Sequence, residues 1–249
     1  MPPNRILLEI PIASPDDAAA AATGGADRLE LNSALPLGGL TPSLGLLDAV
    51  RTQTQLPIMV MIRPRPGGFC YSPADLDLMR RDIDLALEHG AHGIVFGVLK
   101  EDGGIDMARC GEIVRRIAGR APAIFHRAFD LTPEPFAALD ALIELGFRRV
   151  MTSGQEQTAA KGAELIAKLI EQARGRIEIL PAGGINSTNV TELLSRTGCN
   201  QVHCGLRTKR VDRSASHRRG ISFGSMQFPE DQFDSTDGDA VRKLREMLR

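Results

Sequence analysis

Short apolar runs alternate with longer stretches of helical periodicity along the whole chain, and the junction between them repeats. A helical stretch ends at Gly, a small or apolar residue and a polar one follow, and a short apolar run begins. GGADRLEL does this at 24–31, HGAHGIVF at 89–96, LGFRRVMT at 145–152 and TGCNQVHC at 197–204. Glycine takes the left-handed conformation that ends a helix at little cost. Helix openings are marked by Thr41-Pro42, Ser72-Pro73, Thr132-Pro133 and Asn186-Ser187, where a capping side chain precedes a first turn. The pattern predicts strands at 5–10, 27–31, 57–63, 93–97, 122–127, 148–152, 177–181 and 200–204. It predicts helices at 15–23, 42–52, 73–89, 106–118, 134–145, 157–174, 187–196 and 238–248. Strands that alternate with helices build a parallel sheet. Eight such units in 249 residues predict an α/β fold, a (β/α)8 TIM barrel forming a single domain over 1–249. No GxGxxG follows the first strand, so the dinucleotide fingerprint is missing.

Side chains alternate between the two faces of a strand. Ile6, Leu8 and Ile10 share one face of the first strand and Glu9 lies on the other. In the second, Leu29 and Leu31 oppose Arg28 and Glu30; in the third, Ile58, Val60 and Ile62 oppose Met59, Met61 and Arg63. The branched aliphatic face suits packing against helices, which turns Glu9, Glu30 and Arg63 into the barrel near the C-terminal strand ends. Adjacent strands lie about 4.8 Å apart, so these three are expected to form one charged cluster. A carboxylate neighbour raises the pKa of a buried Glu, which would suit Glu30 to proton donation.

The fifth strand ends in Phe125-His126-Arg127-Ala128-Phe129-Asp130. This places an imidazole for proton transfer, a guanidinium fork for anions and a carboxylate to orient either on one strand end. Catalytic roles are therefore expected for Glu9, Glu30, His126 and Asp130. The loop after the third strand, Arg63-Pro64-Arg65-Pro66-Gly67-Gly68, is a stiff basic arm, and Arg63, Arg65 and Arg127 are expected to bind substrate. Ser153-Gly154 after the sixth strand, Gly183-Gly184 after the seventh and His203 in the eighth complete the expected substrate-binding set. The stretch 205–236 breaks the repeat and reads as a basic loop carrying Arg207, Lys209, Arg210, Arg213, Arg218 and Arg219.

Composition narrows the partners. Thirty Lys and Arg against 31 Asp and Glu leave a net charge of −1, which argues against a nucleic-acid-binding surface. Aromatic residues are 4% with no Trp, too few for stacking platforms. No apolar run approaches the roughly 20 residues that span a bilayer. The first residues, MPPNRILLEI, lack a signal-peptide core, so a cytoplasmic protein without membrane association is expected. Cys70, Cys110, Cys199 and Cys204 show no zinc-type spacing and are expected to be free thiols. Self-association as a homodimer or higher homo-oligomer is expected on general grounds.

Several blocks together resemble the CutC family of copper homeostasis proteins: GGADRLEL (24–31), GGLTPSLG (38–45), IRPRPGGFCYS (62–72), GVLKEDGGID (97–106), FHRAFD (125–130), TSG (152–154) and His203-Cys204. The likeness runs from about residue 6 to 224. It implies a (β/α)8 barrel, a cytosolic location, self-association and copper as an associated ion. Pro11 and Asn32 stand where some relatives of that family carry cysteine, and the sequence alone does not define a metal-ligand set. Two functions follow, beside the weaker reading of a structural or partner-binding barrel with no small ligand. One is copper homeostasis with copper binding, as the resemblance implies. The other is a barrel enzyme acting by acid/base chemistry on a small anionic metabolite, phosphorylated or carboxylated.

Overall fold

The computed structural model describes residues 5–215, 217, 221, 223 and 229–249. Eight parallel strands alternate with helices: β1 (Leu7–Ile12), α1 (Pro15–Gly24), β2 (Arg28–Leu31), α2 (Leu44–Gln53), β3 (Ile58–Met61), α3 (Pro73–Glu88), β4 (Gly93–Phe96) and α4 (Met107–Ile117). There follow β5 (Ala123–Phe125), α5 (Pro135–Leu145), β6 (Arg149–Thr152), α6 (Ala163–Ala173), β7 (Glu178–Pro181), α7 (Val190–Thr197) and β8 (Gln201–His203). A hairpin of β9 (Arg207–Val211) and β10 (Gln232–Thr236) precedes α8 (Gly238–Met247). The strand order is β7-β6-β5-β4-β3-β2-β1-β8, and a parallel bridge between Ala182 and His203 joins the two ends. This is the expected TIM barrel.

Two apolar layers hold it together. Ile58, Val60 and Ile62 belong to the large shell between strands and helices, with Leu8, Ile10, Leu29 and Leu31. Met59 and Met61 face inward and pack with Val95 and Ile124 inside the barrel. Gly25, Gly146 and Gly198 all end their helices in the left-handed conformation, as the repeat predicts.

The differences lie at element ends. The first strand runs two residues later than expected. Ser43, not Thr41, caps α2 by accepting from the Leu46 amide. Thr132-Pro133 and Asn186-Ser187 precede α5 and α7 by a few residues, because proline and Asn turns also shape βα loops. The stretch read as a basic loop holds the antiparallel β9–β10 hairpin, with Arg207 paired to Thr236 and Lys209 to Asp234 in register. Arg218 and Arg219 lie outside the described residues.

Candidate functional site at the barrel mouth

Glu9 stands in register with Arg28 of β2 on one side and His203 of β8 on the other. Its carboxylate accepts from Arg28 Nε and, at 2.8 Å, from His203 Nδ1. Burial opposes ionisation of Glu9, but Arg28, His203 and Arg149 outweigh it and hold the pKa at about 2. Glu30 lies two residues beyond Arg28 on the same face, 3% exposed. Asn32 Nδ2 donates to Glu30 Oε2 at 3.0 Å, whereas Oε1 has no partner among the described residues. Burial raises the Glu30 pKa; His203 draws it back and the Glu9 charge pushes it up again. Burial disfavours the charged His203 ring, yet Glu30 and Glu9 raise its pKa above the usual histidine value. With Nδ1 committed to Glu9, His203 Nε2 faces Glu30 Oε2 at 4.0 Å. One ligand atom from each of Glu9, Glu30 and His203 lies within 4.8 Å of the others.

Beneath this trio runs a polar layer that the sequence reading missed. Gln201 Oε1 accepts from Arg28 Nη2 at 3.0 Å and from Arg149 Nε at 3.1 Å. Arg149 also pairs with Glu178 at 2.6 Å. The signal was present: Arg28 and Gln201 each precede a mouth residue by two, so they share its face.

Arg63 does not join the carboxylates. It lies beyond the end of β3, where the chain has turned into the following loop. Its Nη1 donates to the carbonyls of Leu37 (3.0 Å) and Gly39 (3.1 Å), and its Nη2 to Gly67 O at 2.8 Å. Its guanidinium lies 5.1 Å from the centre of the Phe69 ring. Arg65 bonds Asp75 in the first turn of α3 at 3.1 Å and Cys70 O of its own loop at 2.9 Å. His126 is buried against Phe69, with ring centres 4.7 Å apart, and its Nδ1 accepts from the Ala128 amide. Burial, then the Arg63 charge, push its pKa down to about 3, so the ring is neutral at physiological pH. Its hydrogen bond is to the Ala128 amide, whereas Glu9 and Glu30, expected to act with it, are engaged by Arg28, His203 and Asn32.

The third sector is built from β5, β6 and β7. Asp130 accepts from the Ser153 amide at 3.0 Å, from the Gln155 amide at 3.2 Å and from Thr152 Oγ1. It orients Arg127, whose Nε reaches it at 2.8 Å while Nη2 reaches Ser153 Oγ at 2.7 Å. The remaining nitrogen, Nη1, faces Gly183, where a Cβ would stand 3.4 Å from it. Gly183 (φ 104°) and Gly184 (φ 67°) follow β7, and Gly154 (φ 71°) packs too tightly against Gly162 for a side chain.

A model of the CutC family matches residues 6–208. The chain belongs to the CutC family. It is 46% identical to a CutC-named protein of Treponema denticola over 98% of this chain and 100% of the relative. It is 42% identical to a human copper homeostasis protein cutC homolog, over 99% of this chain and 90% of the relative. Among solved structures, CutC from Streptococcus agalactiae superposes with a TM-score of 0.76 at 31% identity, over 80% of this chain and 97% of the other. The thiamine phosphate pyrophosphorylase of Pyrococcus furiosus shares only the fold, with a TM-score of 0.59 at 17% identity.

In this CutC chain no thiol reaches the Glu9–Glu30–His203 trio among the described residues. Cys204 follows His203 but packs in the outer shell, and burial, then Cys199, push its thiol pKa well up. Pro11 and Asn32 border the carboxylates, and Asn32 braces Glu30. The donors at the mouth are therefore nitrogen and oxygen, which suit divalent copper and not the thiolate-seeking monovalent ion.

Proposed function

We propose that this chain serves copper homeostasis by holding divalent copper at Glu30 and His203, with Glu9 orienting the imidazole. The observation that carries this is the convergence of Glu9, Glu30 and His203 within 4.8 Å, with Glu30 Oε1 buried and unpartnered. A carboxylate on the far nitrogen of a ligating histidine fixes its tautomer and strengthens its donor nitrogen. Glu9 stands in that position. The names of the human and mouse relatives support the copper link. The free thiols Cys70, Cys110, Cys199 and Cys204 suit a reducing, cytoplasmic placement.

Titration of the metal-free protein with Cu²⁺, followed by electron paramagnetic resonance, tests the reading. One ion per chain with nitrogen and oxygen coordination is expected. Glu30→Gln and His203→Ala should abolish that signal, and Glu9→Gln should weaken binding about 10- to 100-fold. An unchanged spectrum in Glu30→Gln sinks the assignment.

A second reading, acid/base chemistry on a small anionic metabolite, is favoured by Arg127. Asp130 and Ser153 fix two of its nitrogens and leave the third turned to Gly183. Glu30 would supply the proton. Thermal stabilisation by a phosphorylated or carboxylated compound, lost in Arg127→Ala, is the expected outcome. A broad set that stabilises nothing rejects it.

A further inference from the structure

Arg63 is a buried cation without a counter-ion. It is 7% exposed, its Nη atoms rest on backbone carbonyls, and no carboxylate lies within ion-pair distance among the described residues. An uncompensated buried charge is costly, and a ligand of opposite charge removes the cost. The neighbouring side chains are of matching character. Tyr71 is 3% exposed and His126 4%. Arg63 Nε, Tyr71 Oη and His126 Nε2 are all buried without a well-formed hydrogen bond among the described residues, and the Arg63 guanidinium lies close enough to the Tyr71 hydroxyl to act on it. Because His126 Nδ1 accepts from the Ala128 amide, Nε2 carries the proton. All three atoms therefore offer hydrogens.

Arg63 and His126 both pack on Phe69, and Tyr71 lies beside Arg63. His126 packs on that ring at 4.7 Å and Arg63 lies over it at 5.1 Å, while the Arg65 guanidinium covers the Tyr71 ring at 5.0 Å. Phe69 is partly exposed and follows the exposed run Pro66-Gly67-Gly68, with Gly67 at φ 89°.

We infer that Arg63, Tyr71 and His126 form a second binding site, selective for one carboxylate or phosphate group of a small molecule. A metal ion is repelled by Arg63 and meets no lone pair on His126 Nε2. A carboxylate or phosphate oxygen has only lone pairs to offer and neutralises the guanidinium at the same time. Its residues are other than the proposed metal ligands and Arg127, and it depends on neither reading of the mouth.

Calorimetric titration of the full chain with inorganic phosphate, and separately with acetate, at constant chloride ionic strength, tests the inference. Saturable binding of one anion per chain is expected, and the arm that responds identifies the ligand group. Tyr71→Phe keeps the ring under Arg65 and removes one donor, so binding should weaken about 3- to 10-fold. Arg63→Gln should abolish it, whereas Arg127→Ala and Glu30→Gln should leave it intact. The His126 ring, followed by NMR, should titrate at higher pH with the anion bound. The inference is overturned if neither anion binds saturably, if Tyr71→Phe binds like the unmodified chain, or if Arg127→Ala alone removes binding.

Discussion

Arg28 and Glu9 show how much one register position can carry. Glu9 has both oxygens engaged, one by Arg28 and one by His203, and all of this lies inside the barrel. Removing one member of a buried ion pair typically costs about 3–5 kcal/mol, because the other charge is left without compensation. Arg28→Met is therefore expected to lower the unfolding free energy by that amount in urea titrations. Adding Glu9→Gln should return part of the loss, and a cycle without such coupling contradicts the pairing. His126 gives a second test, through pH. Its folded pKa of about 3 lies below the ordinary value of 6.5. Between those values the unfolded chain binds the extra proton, so this group's contribution is complete above about pH 6.5 and declines as pH falls. The slope approaches 1.4 kcal/mol per pH unit. Denaturation of a His126→Gln variant should show a shallower acid limb; an identical limb would mean the ring titrates normally. Of the mouth residues, Glu9 and Glu30 were legible in the sequence because charge inside an apolar strand is conspicuous. Arg28 shared their face, yet its partner was not legible, since the offset between β1 and β2 is set by barrel closure.

At the scale of elements, the sequence revealed most where glycine ends a helix and a strand restarts. It revealed least where loop and helix use the same residues, as at Thr132-Pro133 before α5. The β9–β10 hairpin was hidden by its charge. Arg207, Lys209 and Arg210 alternate across a strand whose burial is slight, so no apolar periodicity marked it. Packing between α1 and α8 rests on a position that composition alone undervalues. Gly24, at the end of α1, lies so close to α8 that a Cβ there would stand 2.6 Å from Val241 Cβ and 2.9 Å from Gly238 O. Overpacking of this kind typically costs about 1–3 kcal/mol. Gly24→Ala should destabilise the chain within that range, and pairing it with Val241→Ala should recover part of the loss. Thermal denaturation of the two variants decides it. Equal stability of Gly24→Ala and the unmodified chain would show that the helices can shift apart freely.

At the scale of the whole barrel, closure is uneven. β6 and β7 pair over four positions, as do β1 and β2, whereas β7 meets β8 at one bridge, Ala182 with His203. The seam is reinforced by a side chain instead of a ladder. Gln201 Nε2 donates across it to Ile179 O at 3.3 Å, and the Glu178 carboxylate lies at 3.5 Å. On its other side, the same amide receives Arg28 and Arg149. Gln201 thus ties β2, β6, β7 and β8 together beneath the mouth. Gln201→Leu keeps the volume roughly but removes every one of these contacts and strands two guanidinium donors. Each unsatisfied buried donor costs about 1–3 kcal/mol. The expected result is a loss of several kcal/mol in global stability, with native-state hydrogen exchange accelerated first in β7 and β8. If the exchange order is unchanged and β7–β8 stays as protected as β1–β2, the seam is not the weak point of closure. Because His203 is both the bridge residue and a mouth residue, opening there would separate it from Glu9. On the copper reading proposed above, loss of the Cu²⁺ signal in Gln201→Leu, at temperatures where the barrel is still folded, is therefore expected to precede global unfolding.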